Sequence, residues 1–223
     1  MMERRTFLPR RGFLSASLAA GAGAAALGLQ LGSPLLAAAA VPTPRQSEGP
    51  FYPLELPADS DQNLVQVAGR PQPAAGKVIQ VVGQVRDDRG KPLAGGQVEI
   101  WQCDAFGRYH HPGDRGGRAD PNFQGFGRAL LDAEGHYAFR TIMPVPYPGR
   151  TPHIHFAVSG PGVERLTTQM YLAGHPLNER DFLYRAIRDP AARDSVTVAF
   201  KAAPEIGPEV EVGRFDLVLG RSI

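Results

Sequence analysis

The chain has 223 residues, 43% of them hydrophobic, which suits one domain with a real core and leaves too little for two. Its formal charge of +2 sits at the start, since setting aside Arg4, Arg5, Arg10 and Arg11 together with the acid Glu3 leaves a net −1; without a Lys/Arg-rich stripe, nucleic acid is excluded as a partner. The lone cysteine, Cys103, excludes an internal disulfide and a cysteine-rich zinc site, and 26 glycines and 21 prolines scattered between β-branched runs disfavour a helix bundle.

Residues 1–40 combine a basic start, an Ala/Gly/Leu stretch from about Phe13 to Leu36 and a small-residue run, Ala37–Ala40. Those are the parts of a cleavable signal. Twin arginines occur in RRTFL at Arg4 and RRGFL at Arg10, and each resembles the bacterial twin-arginine export signal; the second abuts the apolar stretch and is the preferred copy. The expectation is export of a folded protein to the periplasm by the twin-arginine machinery. The alternative, an uncleaved membrane anchor, is disfavoured because Ala and Gly make the stretch only weakly hydrophobic.

Residues 41–75 are Pro-rich and irregular, with the compact element SEGPFYP at Ser47–Pro53, and predict an ordered arm. The catalytic domain is expected over 76–223. Val78, Val81, Val82 and Val85 mark a first strand, the turn Asp87–Gly90 follows, and QVEIWQC is a second. After a glycine-rich loop from Gly107 to Gly127, strands are predicted at Arg128–Leu131 and His136–Ile142 around the turn Asp132–Gly135. The corner MPVPYPGRTP leads into the strand HIHFAVSG. Further strands are expected at Leu166–Leu172, Val196–Phe200 and Phe215–Leu219, with one helix at Glu179–Arg188. Short strands between turn signals indicate an all-β, antiparallel sandwich whose long loops carry the functional groups. Cys103 reads as a small buried strand residue.

His153 and His155 are two apart in a run of β character, so both imidazoles leave the same face of the strand and can grip one metal. Tyr147 lies just upstream in YPGRTPHIHF, and Tyr109 ends IWQCDAFGRY beside the glycine-rich loop. The ordered combination of GPFYP, IWQ separated by six residues from Tyr109, YPGRTPHIHF and TTQMYLAGHPLNERD resembles the intradiol ring-cleavage dioxygenases, the protocatechuate and catechol dioxygenase family, from about Glu48 to Asp181.

That resemblance implies a mononuclear, non-haem Fe(3+) held by Tyr109, Tyr147, His153 and His155. Phenolates are hard anionic donors that favour ferric over ferrous iron, which agrees with it. It further implies a catecholic substrate and O2, with cleavage between the hydroxyl-bearing carbons to a muconate-type diacid. The tyrosine matching Tyr147 leaves the metal as the substrate binds. Arg150 matches an arginine that stabilises charge on the ring, and Gln169 a glutamine near that arginine. By the same resemblance the GPFYP arm folds over the site and Tyr52 lines its mouth. His110, His111, His136 and His175 fit no ligand spacing and read as loop or surface residues; Trp101 and the phenylalanines of FQGFGR read as core or pocket wall.

Two features depart from the family pattern. His153 follows Tyr147 by only six positions, a shorter connection than in the protocatechuate enzymes, so the pocket wall is expected to differ there, and no helical dimerisation segment is read ahead of the sandwich. The Pro-rich arm is instead the surface expected to serve a homo-oligomer. The competing readings are a non-catalytic β-sandwich binding module, and a copper or zinc protein using the histidines alone. The first gives two tyrosines and an HxH pair no reason to converge; the second leaves the tyrosines unligated.

Overall fold

The structure is a computed structural model that describes residues 40–220, so the expected signal lies, apart from Ala40, outside the described residues. Among these, ten strands run in the order β1 Val78–Asp87, β2 Gln97–Trp101, β3 Phe126–Leu130, β4 His136–Ile142, β5 His153–Gly160, β6 Val163–Leu172, β7 Thr197–Val198, β8 Phe200–Ala202, β9 Glu211–Arg214 and β10 Leu217–Leu219. No helix among the described residues is long and apolar enough to cross a membrane.

The strands form two sheets. In the first, β1 pairs antiparallel with β4, while β9 and β10 lie parallel to successive parts of it and β8 adds antiparallel to β9. The second has the order β3-β2-β5-β6-β7, with only the last pair parallel. The sandwich is as expected, but its sheets are mixed. The antiparallel frame comes from hairpin-like neighbours, and the parallel pairs come from short strands returning from distant sequence.

Strand alternation explains which side chains meet between the sheets. Ile79, Val81 and Val85 of β1 face inward, so Val78 and Val82 of the expected apolar set are only partly buried. They meet Val98 and Ile100 of β2 and Ile154, Phe156 and Val158 of β5 in one core. Phe156 touches Tyr137 and Phe215 across the layer, with ring centres 6.1 and 4.9 Å away. The arm joins this core too: Leu64 is fully buried and its N–H donates to the Arg140 carbonyl.

The opposite face of the second sheet matters for the site. Residues between the core positions, Glu99 and Trp101 on β2 and His153, His155 and Ala157 on β5, point away from the core. They are nonetheless buried, because the arm covers them. A second aromatic cluster forms there from Trp101, Tyr109 and Phe126, with Phe51, Tyr52 and Tyr147 packed on it.

The helix expected at Glu179–Arg188 is a correction. A 3-10 turn, Asn178–Arg180, ends at Asp181, whose backbone is extended; α1, Phe182–Ala186, then starts anew, and α2 follows at Pro190–Ser195. Asp181 interrupts the run because its carboxylate caps α1, accepting from the N–H groups of Leu183 and Tyr184. Asp189 and Pro190 open α2 in the same way.

Candidate active site and metal centre

One row across the second sheet sets the floor of the site. Cross-strand register places Phe126, Trp101, His155 and Gln169 side by side on β3, β2, β5 and β6. Trp101 lies flat against His155, ring centres 4.8 Å apart and planes 6° apart, which fixes the imidazole plane. His153 is the next position on the same face, and Tyr147 and Tyr109 reach the two imidazoles from loops.

His153 Nε2 lies 3.2 Å from His155 Nε2 and 3.4 Å from Tyr147 Oη. The Tyr109 ring stands edge-on to Tyr147 at 5.6 Å, and 6.3 Å from His155. Its Oη is buried and has no hydrogen-bond partner of normal geometry. All four expected ligands thus converge on one point. His153 Nδ1 sits 2.6 Å from the Thr151 carbonyl, which can only accept, so Nδ1 carries the hydrogen and Nε2 presents its lone pair.

The electrostatics suit a cation there. Burial, helped by the nearby Arg150 charge, pushes His153 down to about 3; burial and His153 itself push His155 well below the usual imidazole range. Both are neutral, the ligand form. Burial drives the Tyr109 phenol well up and the Tyr147 phenol up, the latter against the pull of Arg150. The His153 lone pair faces His155 Nε2 beside an orphaned buried phenol, and His155 Nδ1 is buried without a partner as well, an arrangement that a metal ion among these donors would relieve. The donor set fits the iron that the family resemblance implies.

Arg150 stands beside this point. Its Nη1 is 3.5 Å from Tyr147 Oη, Nη2 donates to Gln169 Oε1 and Nε donates to Asp181 Oδ2 at 2.8 Å. Asp181 is 1% exposed and also accepts from the Thr151 N–H. Although burial pushes its carboxyl up, the N–H groups of Tyr184 and Thr151 and the Arg150 guanidinium hold it below the ordinary range. Asp181 escaped the sequence reading of roles. It closes the quoted TTQMYLAGHPLNERD stretch, but no local spacing signals a contact with a residue 31 positions away.

The arm crosses the site at Gly49, where an added Cβ would sit 3.4 Å from His155 Cε1. Phe51 then stacks on Tyr109, 4.5 Å between centres. Phe51, rather than Tyr52, faces the cavity beside Tyr109. Tyr52 instead turns down to the sheet, donating to Glu99 Oε2 at 3.1 Å and meeting Trp101 edge-on. Glu99, 5% exposed, also pairs with Arg128 and with Arg165, which reaches Glu48. These charges hold the arm down.

The remaining candidates lie elsewhere. His110 and His111 line the wall of the cavity beside Tyr109. His175 Nδ1 is 3.3 Å from Thr151 Oγ1. His136 shares an exposed turn with Asp132 and Glu134, where Asp132 Oδ1 accepts from the N–H groups of both. Cys103 is buried, and burial raises its thiol to about 12, leaving it inert.

A protein-family model described as "Dioxygenase" matches residues 47–221. The protocatechuate 3,4-dioxygenase beta chain of Burkholderia cepacia is 38% identical over 184 residues, covering 78% of each chain. A catechol 1,2-dioxygenase of Candida albicans is 36% identical over 69% of this chain and 52% of its own length, so the match spans about half of that relative. Among solved structures, the dioxygenase domain of a dioxygenase carbohydrate-binding protein fusion from the cellulolytic bacterium Streptomyces sp. SirexAA-E is 33% identical with a TM-score of 0.63; the match covers 82% of this chain and 100% of that one. Sequence, sheet order and the residues gathered around His153 and His155 therefore lead to one assignment: the chain belongs to the intradiol ring-cleavage dioxygenase family of oxidoreductases.

Proposed function

We propose that the chain is a non-haem iron(III) enzyme that opens a catechol-type ring between its two hydroxyl-bearing carbons with O2, giving a muconate-type diacid. The convergence of Tyr109, Tyr147, His153 and His155 on one point, with Arg150 beside it, carries this reading. Bound there, ferric iron would supply the electron withdrawal that makes a catecholate ring carbon reactive toward O2.

The protein's own groups have distinct tasks. Tyr109 is walled in by Phe51 and is the phenol that stays. Tyr147 is partly exposed and sits on a short turn closed by the Arg150 N–H bonding to its carbonyl, so it is the one that swings away. As it leaves, its Oη takes a proton from the incoming catechol, an exchange favoured by the raised affinity of the buried phenol for its proton. The Arg150 guanidinium, whose Nη1 already lies 3.5 Å from Tyr147 Oη, then offsets negative charge on the oxygen of the bound ring. Gln169 and Asp181 hold the guanidinium fork in place, and Phe51 keeps water from the reacting face.

The named relatives make catechol and protocatechuate the first substrates to try. The test is turnover of the iron-loaded protein under heavy-isotope O2. Both labelled atoms should appear in a ring-opened diacid; an unopened quinone, or label in water alone, would contradict the proposal. We also propose that residues 1–40 direct twin-arginine export to the periplasm, on the strength of the two RR motifs and the apolar stretch behind them.

A further inference from the structure

Arg150 is held on two sides, by Gln169 and by Asp181, and both supports lead back to one residue of the arm, Gln46. Residues 43–48 run along β6: the Gln46 N–H donates to the Thr167 carbonyl and the Thr168 hydroxyl to the Pro44 carbonyl, each at 2.8 Å. That docking sets the Gln46 side chain against Tyr171, which lies two places from Gln169 on the same face of the strand.

Gln46 Nε2 donates to the Tyr171 hydroxyl at 2.9 Å and to the Leu183 carbonyl at 3.2 Å. A carbonyl can only accept, so Leu183 fixes which end of the Gln46 amide is nitrogen. The Tyr171 hydroxyl shares its own hydrogen between Gln46 Oε1 at 3.2 Å and Gln169 Oε1 at 3.3 Å. Gln169 Oε1 is the atom that accepts from Arg150 Nη2. At its other end Gln169 Nε2 donates to the Ser47 carbonyl at 3.3 Å, which settles that amide in the same way. A reversed Gln169 would set its NH2 against the guanidinium, donor against donor. Leu183 also leads to the second support, since Asp181 Oδ1 accepts from its N–H at the start of α1. Tyr171 and Gln169 are fully buried, where water does not readily replace a lost partner.

We propose that Gln46 is a positioning residue for the reaction. Through Tyr171 and Gln169 on one side, and α1 with Asp181 on the other, it sets the orientation of the Arg150 guanidinium. This rests on the dioxygenase reading, so one part of the test needs neither iron nor turnover.

Gln46→Leu keeps the bulk of the side chain and removes both of its bonds. In metal-free protein, solvent exchange of the Arg150 Nε–H, followed by NMR, should quicken by about five-fold or more. In iron-loaded protein kcat for catechol should fall by about ten-fold or more with KM changed by less than about three-fold, because the guanidinium acts on charge that develops after binding. Tyr171→Phe cuts the same chain one link on, so the Gln46→Leu/Tyr171→Phe protein should lose little beyond the worse single variant. Gln46 is only partly buried and carries the test if the Tyr171 variant does not fold. Arg45→Ala is the control. It removes the arm's bonds to Glu164 and the Arg165 carbonyl without touching the chain, and should leave kcat unchanged.

Wild-type kcat, or unaltered Arg150 exchange, in folded Gln46→Leu protein overturns the assignment. So does an equal loss in Arg45→Ala, which would reduce Gln46 to one more anchor of the arm. If exchange quickens as expected while the wild-type protein opens no catechol, the dioxygenase reading has failed, and the positioning role falls with it.

Discussion

Asp181 joins three parts of the molecule with one carboxylate: it pairs with Arg150, accepts from the Thr151 N–H and caps α1. Asp181→Asn leaves Arg150 without its buried counter-charge, and breaking such a pair costs about 3–5 kcal/mol. Urea unfolding should show a loss of that order, and kcat/KM should fall at least ten-fold as the guanidinium loses its orientation; wild-type activity in a destabilised Asp181→Asn protein would remove Asp181 from the positioning of Arg150. The histidines give a second expectation, for metal-free protein. An unfolded histidine takes up a proton near about pH 6.5, whereas His153 resists until about 3 and His155 is also held low. Between those values the unfolded chain binds protons the folded chain refuses, so stability falls as pH drops through the window, by up to about 1.4 kcal/mol per pH unit for each histidine. Denaturant midpoints between pH 7.5 and 5 should show this slope, and it should flatten in His153→Asn/His155→Asn protein. Spacing was enough to put those two histidines on one face. The Asp181 pair was not legible, because an ion pair across 31 positions depends on how the chain returns.

At the scale of elements, the strands in the middle of the sheets were the readable ones. β4 matches its expected span, His136–Ile142, and β5 starts at His153 as read, because both follow clear turn or proline signals. Of the last four strands, the expected run Val196–Phe200 takes in β7 and the start of β8, Phe215–Leu219 takes in β10, and β9 was missed. β7 to β10 are two to four residues long, and β7, β9 and β10 pair parallel with distant strands, so their existence depends on tertiary contact more than on local pattern. The break at Asp181 was hidden because the flanking residues are all tolerable in a helix. The arm was read as ordered, but its charge anchor was missed: alternation places Glu99 on the face away from the core, and it is buried because Tyr52, Arg128 and Arg165 cover it. Glu99→Gln should cost about 1.5–3 kcal/mol, the range for hydrogen bonds to a charged group. It should also raise amide exchange at Gln46–Tyr52 ahead of the core strands; uniform protection throughout the chain would show that the anchor does not hold the arm.

For the whole molecule, composition and turn spacing sufficed for a β-sandwich, and four ordered motifs for its family. The cavity beside Tyr109 could not be read from either, since its walls come from the arm, β2, β3 and the glycine-rich loop together. Export is tested at this scale as well. In a bacterial host with a twin-arginine system, the Arg10→Lys/Arg11→Lys chain should remain in the cytoplasm, and its undiminished appearance in the periplasm would point to the Arg4 copy or another route. The central claim is that two tyrosines and two histidines hold ferric iron, and its most direct test is the visible absorption spectrum of iron-loaded protein before and after catechol is added without O2. A broad phenolate-to-iron band that shifts on catechol addition, and is lost in Tyr109→Phe/Tyr147→Phe protein, is the expected result. A colourless protein that takes up no iron, or a band unaltered by loss of both tyrosines, would contradict it.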